Sequence, residues 1–204
     1  NRKISYFIKG VFAEVLLGMI LLSFSIVIMD IRFDFRFLLF CFSAKYLDWK
    51  ITNSSIVLLA ILRFFWGSID IAQTNLLASI MIAVTLPLLV HYTKDKMSDL
   101  SQLLILVTIS IIPTILITNH VIADKSLVLT IGLMLFACGY AATFIMYHFI
   151  TDLYSLIASA NTDDLTTLKN GRTFNAKLLE IERNMQSVTV AMIDVDYFKD
   201  YNDR

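Results

Sequence analysis

The chain has 204 residues, of which 57% are hydrophobic and 17% are charged, and 17 basic residues balance 17 acidic ones. Soluble domains contain about 45–50% apolar residues, so this excess, with a mean hydropathy of +0.72, predicts an integral membrane protein that contacts the lipid bilayer. The net charge of zero gives no general attraction to nucleic acid, and a nucleic-acid partner is not expected.

Apolar runs divide the first 150 residues into about six candidate membrane passes. A helix that crosses a bilayer needs about 20 apolar residues, and the second and third runs are short or marginal. These two could instead be half-length helices buried in the bundle. The first 150 residues are therefore predicted to form a polytopic α-helical membrane domain. The runs are residues 6–29, 37–47, 51–66, 76–91, 100–118 and 127–150.

Basic residues flank these runs unequally. With a cytoplasmic N-terminus and six passes, seven basic residues lie inside and three outside, which agrees with the positive-inside rule. Six passes also return the C-terminal segment to the cytoplasm. The inside residues are Arg2, Lys3, Lys9, Lys45, Lys50, Lys94 and Lys96, and the outside residues are Arg32, Arg36 and Lys125.

Two charged residues lie inside the apolar runs. Glu14 is about ten residues into the first run and Arg63 about as far into the third, so both are expected about 15 Å deep. A carboxylate and a guanidinium at one depth suggest an ion pair. Alternatively, Arg63 extends to the membrane surface and Glu14 faces a polar cavity. Asp34 and Arg36 lie in the charged stretch DIRFDFR, which is either a ligand-binding loop or an ordinary interfacial loop.

The segment Phe33-Asp34-Phe35-Arg36, followed by LRFFWG at residues 62–67, resembles the LytS-YhcK type of multi-pass sensor domain. That family has an FDLR-like element after its first helix and an arginine near the end of a later helix. The resemblance covers about residues 6–150 and implies that this region is a transmembrane sensor.

The pattern changes after the last apolar run. Ile150, Leu153, Ile157 and Ala160 have the 3, 4, 3 spacing of a and d positions in a heptad. This spacing predicts a signalling helix at residues 151–162 and a homodimer that pairs through the last membrane helix and residues 150–160. One further amphipathic turn is the alternative interpretation. Asn161 and Thr162 are candidate caps that mark the end of this helix.

A soluble α/β segment is predicted from residue 163 onwards. Residues 172–185 place Phe174, Leu178, Ile181 and Met185 on one helical face. Residues 188–193 form a β-rich apolar run typical of a buried strand. Asp194 and Asp196 follow this run, and two carboxylates spaced in this way suit a hard cation such as Mg²⁺.

The stretches DDLTTLKNGRTF (163–174) and IDVDYFKDYND (193–203) resemble the opening of a GGDEF domain, the diguanylate cyclase family. That family begins with D-x-LTGL-x-NRR-x-F and continues with D-x-D-x-FK-x-x-ND. The chain has Thr167 where the family has Gly and Gly171 where it usually has Arg. The resemblance implies an α/β fold of the nucleotidyl-cyclase type, whose substrate is GTP and whose product is cyclic di-GMP.

The resemblance also implies a role for each residue of the second motif. Asp194, the carbonyl of Val195 and the supporting acid Asp196 would hold Mg²⁺ or Mn²⁺. Backbone N–H groups near Tyr197 and Phe198 would meet the triphosphate. Lys199 would stabilise charge in the transition state, and Asn202 would hydrogen-bond the guanine.

These expectations combine into one domain plan: a transmembrane sensor at 1–150, a linker helix at 151–162 and the opening of a GGDEF domain at 163–204. None of the six glycines is adjacent to another, so the GGDEF signature is absent from this stretch, which we expect not to be catalytic by itself. The resemblance implies that the full-length protein is a diguanylate cyclase, and we expect it in a bacterial inner membrane. A non-catalytic receptor or scaffold with a degenerate GGDEF domain is the alternative, and a transporter is a distant third.

Overall fold

The computed structural model describes residues 2–29, 31–66, 68–163, 166, 168–183, 187–191 and 193. It divides into two compact units, Asn1–Phe149 and Ile150–Arg204. Within the described residues the chain is mainly α-helical. The elements are α1 (Arg2–Ser23), β1 (Ile26–Ile28), β2 (Ile31–Phe33), α2 (Arg36–Tyr46), α3 (Trp49–Leu62), a 3₁₀ turn (Arg63–Phe65), α4 (Ile69–Thr93), α5 (Asp99–Val121), α6 (Lys125–Asn161) and α7 (Gly171–Arg183).

The first apolar run does not continue as a helix to residue 29, which corrects the prediction. Helix α1 ends at Ser23, and β1 and β2 then form an antiparallel hairpin in which Ile26 faces Phe33 and Ile28 faces Ile31. Isoleucine and valine favour extended backbone, and Met29 makes the turn with a left-handed φ of 49°. We call this side of the first unit the hairpin end.

Among the described residues, four helices are long and apolar enough to cross a membrane: α1, α4, α5 and α6. Helix α2 has 11 residues and rises only about 16 Å, which is half of a hydrocarbon core of about 30 Å. Helix α3 and the 3₁₀ turn that follows it rise about 27 Å together. Six full passes are therefore not confirmed. Of the two weak runs, α2 matches the half-length alternative, whereas α3 with its 3₁₀ turn is nearly as long as the hydrocarbon core is thick.

Polar contacts at the opposite end of the first unit hold the end of the short helix α2 in place. Lys45, near the end of α2, forms a 2.7 Å ion pair with Asp99 at the start of α5, and it also donates a hydrogen bond to Gln102. The Gln102 amide donates to Thr93 Oγ1 over 2.6 Å and to the Val90 carbonyl over 3.1 Å, both in α4. The ends of α2 and α4 and the start of α5 therefore meet at one end, which we call the Lys45 end.

The core of the first unit lies where α2 meets α3, α4 and α5. It contains the buried residues Phe37, Leu38, Phe40, Cys41, Ala44, Ile56, Leu59, Leu86, Leu106, Val107 and Ile111. A second cluster joins the hairpin to the neighbouring helix ends through Ile31, Phe33, Ile71, Ile122, Val128 and Ile131. Large apolar side chains on α1, α4 and α6 are exposed, as expected for helices whose surfaces contact lipid.

Helices α1 and α3 run parallel and in close contact. A Cβ added at Gly10 would lie 2.8 Å from Ile51 Cδ1, and one added at Gly18 would overlap the Leu59 side chain. Both contacts join residues that differ by 41 in sequence, so residue 14 lies level with residue 55 and residue 22 with residue 63. This register sets the depth of every polar group between the two helices.

The second unit confirms a helix where residues 172–185 predicted one, since α7 spans Gly171–Arg183. The buried strand predicted at 188–193 is wrong for the described residues 187–191 and 193, which form no regular structure. Val188, Val190 and Ile193 are exposed. A strand needs a neighbour to complete its hydrogen bonds, and the pairing among the described residues of this unit is a single bridge between Thr162 and Lys169.

Candidate functional site

A polar pocket lies within the first unit, at the hairpin end. We call it the hairpin-end pocket. It is about 70 Å³ in size, which is enough for a few waters or a small polar group but not for a large ligand. Its polar lining comes from five elements and the segments beside them and consists of Arg32, Asp34, Arg36, Arg63, Asn75, Ser79, Ser110 and Thr114.

Asp34 and Arg36 form the best-defined contact in the hairpin-end pocket. Arg36 Nε donates to Asp34 Oδ1 over 2.8 Å, and the Arg36 backbone N–H donates to the same oxygen over 2.9 Å. The Asp34 side chain is only 6% exposed, and its Oδ2 has no hydrogen-bond partner among the described residues. Asp34 therefore orients Arg36 and keeps one oxygen directed into buried space.

Arg32 and Arg63 add two more guanidinium groups to this pocket. Arg32 Nη1 donates to Ser25 Oγ over 3.1 Å, and Arg63 is 1% exposed at the end of α3. Three guanidinium groups and one carboxylate among the described lining residues suit an anionic group, because guanidinium presents planar paired donors. Arg32, Asp34 and Arg36 of the stretch DIRFDFR therefore line a polar pocket, and ligand binding there stays a prediction.

The structure does not bring Glu14 and Arg63 together. In the register of α1 and α3, Arg63 lies level with Leu22, which is eight residues or about 12 Å beyond Glu14. The ion pairs among the described residues are Arg36–Asp34, Lys45–Asp99 and Lys177–Glu180. The predicted ion pair is corrected because α3 starts higher along α1 than its apolar run indicated.

Glu14 instead lies in a separate cluster of hydroxyl groups. Ser43 Oγ donates to Glu14 Oε2 over 2.8 Å, and the same Ser43 oxygen lies 2.8 Å from Thr52 Oγ1. Glu14 is 4% exposed, and Ser43, Thr52 and Ser55 are at most 4% exposed. The alternative that Glu14 faces polar surroundings of its own agrees with this geometry.

Sequence reasoning missed most of the polar residues in both places. Four of them lie in apolar runs, where serine and threonine often bond to their own helix backbone: Ser43, Thr52, Ser55 and Ser110. Spacing could have supplied one signal, since Thr52 and Ser55 are three residues apart and share a helix face. Which face turns towards Glu14 depends on the packing of three helices.

In the second unit, the segment between α6 and α7 folds back on itself. The Asp163 N–H donates to the Leu168 carbonyl over 2.8 Å, and the Asn170 N–H donates to the Asn161 carbonyl over 3.1 Å. Asp163 Oδ1 accepts from the Thr166 N–H and hydroxyl, each over 2.9 Å. The described residues between α6 and α7 therefore make hydrogen bonds that return the chain to the end of α6, and we call this segment the loop.

Asn170 connects this loop to both helices. Its Oδ1 accepts from the Thr173 N–H over 3.0 Å and so caps the N-terminus of α7. Its Nδ2 donates to the Ala160 carbonyl over 2.9 Å, near the end of α6. The first motif, DDLTTLKNGRTF, therefore has a structural role here, because its Asn170 determines where α7 begins.

Comparison with known proteins decides what this segment resembles. Residues 160–204 match the family described as diguanylate cyclase, GGDEF domain. The C-terminal segment is a GGDEF match. It begins one residue before α6 ends and includes the loop, α7 and the second motif, and we call residues 160–204 the GGDEF segment.

Relatives of the whole chain are membrane proteins. Uncharacterized membrane proteins of Staphylococcus aureus strains USA300, NCTC 8325 and COL are each 28% identical to it over 209 residues. The alignment covers 94% of this chain and 56% of each relative, so the chain spans about half the length of the curated relatives it matches. No solved structure matches the chain. The resemblance of residues 6–150 to the LytS-YhcK type stays a prediction.

The predicted chemistry of the GGDEF segment falls on residues outside the described part of the chain. These are Asp194, Val195, Asp196, Tyr197, Phe198, Lys199 and Asn202. Among the described residues no group of three or more His, Cys, Asp or Glu side chains could hold a metal ion. Of the two departures from the family pattern, Thr167 is also outside the described part. Gly171 begins α7 with no atom within 4 Å of an added Cβ, so a larger residue would fit there.

Proposed function

We propose that this protein is a membrane-bound signalling protein whose full-length form is a diguanylate cyclase. It would condense two GTP molecules into cyclic di-GMP under the control of the membrane domain. The observation that carries the proposal is the GGDEF match at residues 160–204, which begins at the end of a 37-residue helix, α6, that is a membrane-span candidate. One continuous helix thus leads along the chain from the predicted membrane sensor to the GGDEF segment.

The second motif would supply the chemistry. Asp194, Asp196 and the Val195 carbonyl offer only oxygen ligands, which suit Mg²⁺, and the metal would neutralise charge on the phosphates when bound. Lys199 would stabilise charge that develops during phosphoryl transfer. Asn202 would select guanine by hydrogen bonding. We infer that the phosphates lie near the backbone of Tyr197 and Phe198.

Pairing of two chains would follow from the reaction, because each GTP needs its own GGDEF domain. Ile150, Leu153, Ile157 and Ala160 repeat at heptad spacing along the end of α6. Leu153 and Ile157 are 45% and 48% exposed, so they are available for a second copy. We infer a homodimer that forms through the last membrane helix and residues 150–160, with the GGDEF domain in the cytoplasm of a bacterial cell.

The membrane domain would act as the sensor, and the hairpin-end pocket is its candidate signal site. It gathers charge from β2, from the α2 start and from the 3₁₀ turn after α3. A small ligand there would contact elements that meet α4, α5 and α6 through the hairpin cluster. A change at that end could therefore alter the packing of the last membrane helix.

The test is cyclic di-GMP formation from GTP and Mg²⁺ by the purified full-length protein. Asp194→Asn keeps the size of the side chain and removes its charge, so turnover should fall by several orders of magnitude while folding and dimerisation persist. Lys199→Ala should lower turnover more than it lowers GTP affinity. Glu182→Gln is the matched control, since Glu182 is an exposed acid on α7.

Two results would contradict this assignment. A wild-type protein that binds GTP and makes no cyclic di-GMP would refute the cyclase and favour the scaffold with a degenerate GGDEF domain. Full activity of Asp194→Asn would show that this residue is not the metal ligand.

A further inference from the structure

We propose that Glu14, Ser43, Thr52 and Ser55 form a binding site for a small hard monovalent cation, Na⁺, inside the membrane domain. We call these four residues the Glu14 cluster. The inference does not depend on the cyclase proposal, because all four residues lie in the membrane unit and none is shared with the GGDEF segment.

The first argument is the burial of a carboxylate. Glu14 is 4% exposed and lies in α1, which is long and apolar enough to span the membrane. A carboxylate in such surroundings needs a counter-charge or a set of strong donors. The ion pairs among the described residues do not include Glu14, and Arg63 lies about 12 Å further along the helix axis.

The second argument is that hydrogen bonding leaves the carboxylate incomplete. Oε2 accepts one hydrogen bond, from Ser43 over 2.8 Å. Oε1 has no hydrogen-bond partner among the described residues although it is buried. Ser55 lies level with Glu14 on α3 and within reach of its carboxylate, and its hydroxyl also lies 3.0 Å from the Ile51 carbonyl, to which it can donate. When the Ser55 hydrogen is donated to that carbonyl, the Ser55 oxygen keeps lone pairs that a cation can bind.

The third argument is the chemistry of the set. All four side chains offer oxygen, and hard cations prefer oxygen ligands. Ser43 Oγ lies 2.8 Å from both Glu14 Oε2 and Thr52 Oγ1, so three of these oxygens are already neighbours. One negative charge matches one monovalent cation, whereas a divalent ion would leave a buried excess charge.

The position of the Glu14 cluster gives binding a structural consequence. Its oxygens come from α1, α2 and α3, so a bound cation links three helices. Gly10 and Gly18 hold α1 against α3 on either side of Glu14. A ligand that binds only the folded protein stabilises it in proportion to the logarithm of ligand concentration above its dissociation constant. Na⁺ should therefore stabilise the membrane domain in a saturable way.

The experiment measures thermal unfolding of the full-length protein in detergent as NaCl replaces KCl or choline chloride at constant ionic strength. The unfolding midpoint should rise by a few degrees with Na⁺ and then level off, with no comparable rise in choline. Glu14→Gln should abolish this rise, and Thr52→Val, which removes one hydroxyl at similar size, should shift it to higher Na⁺. Glu182→Gln should behave as wild type.

Equal midpoints in NaCl, KCl and choline chloride would overturn the proposal and indicate that a proton neutralises Glu14. An unchanged Na⁺ response in Glu14→Gln would overturn it as well, because the cation would then bind elsewhere. If Glu14→Gln does not fold, Thr52→Val and Ser55→Ala decide: a Na⁺ response identical to wild type in both would refute the site. Cyclic di-GMP formation is read separately, so failure here leaves the cyclase proposal unaffected.

Discussion

Replacement of Gly18 by alanine tests the close packing of α1 on α3. A Cβ at Gly18 would overlap the Leu59 side chain, which is 1% exposed and part of the core. Overpacking a core position costs about 1–3 kcal/mol, whereas glycine to alanine inside a helix contributes about 1 kcal/mol of stability. The balance predicts that Gly18→Ala lowers the free energy of unfolding by up to about 2 kcal/mol.

A double mutant separates packing from other effects. Leu59→Ala alone should cost about 2–5 kcal/mol, because it leaves a cavity. The added methyl of Gly18→Ala enters that cavity, so the pair should be more stable than the sum of the single changes by about 0.5–3 kcal/mol. Gly132→Ala is the control, since a Cβ there would lie 3.4 Å from Ile115 Cδ1, an ordinary contact.

The assay is reversible denaturation of the purified protein in detergent, monitored by the loss of tertiary signal. Gly132→Ala should be neutral or slightly stabilising, and Gly18→Ala should be less stable than wild type. If both glycine variants gain the same stability, or if the double mutant is strictly additive, α1 and α3 do not meet at this residue. The register that separates Glu14 from Arg63 would then be wrong.

Two further predictions concern the caps of α7 and α6. Asn170→Ala should destabilise the second unit by about 1 kcal/mol through loss of the α7 cap. Asn170→Asp should retain the cap and lose only the bonds from Nδ2 to the Ala160 and Thr162 carbonyls. Equal losses of protection in the two variants, measured by proteolysis or amide exchange, would contradict this prediction. Hydrogen bonds from the Ser126 side chain, and from the backbone N–H groups of Ser126 and Leu127, lower the pKa of Asp124. The stability that this cap gives to α6 is therefore fully present above the ordinary pKa range of aspartate, and it is lost as the pH falls through the lowered pKa. Asp124→Ala should remove this dependence of stability on acid pH. A pH profile unchanged by Asp124→Ala would refute the effect.

Long-range packing explains why the membrane bundle was only partly predictable. The runs at residues 76–91, 100–118 and 127–150 indicated α4, α5 and α6, because a long apolar run has few alternatives to a helix in lipid. The first run failed at its end, since Ile26, Val27 and Ile28 are equally apolar as helix or strand. Pairing with β2 decided between the two.

The candidate sites, like the bundle, could be predicted only in part from the sequence. The order of residues in DDLTTLKNGRTF and IDVDYFKDYND was enough to indicate the GGDEF segment, and the family match agrees. The local pattern could not indicate that Asn170 bonds back to Ala160, since that contact depends on the loop geometry. The strand predicted at residues 188–193 is absent from the described residues of that run, because a β-rich run forms a strand only beside another strand.

The sequence by itself determined that this is a membrane protein with a GGDEF segment, because composition and motif are properties of residues near one another in the chain. Only the tertiary structure decided where its buried charges lie. Glu14 and Arg63 are about equally deep by counting from the starts of their apolar runs, yet the contacts of Gly10 with Ile51 and of Gly18 with Leu59 displace α3 along α1. Depth in a bundle is set by side-chain fit between helices, and that fit separates the two charges into different polar surroundings.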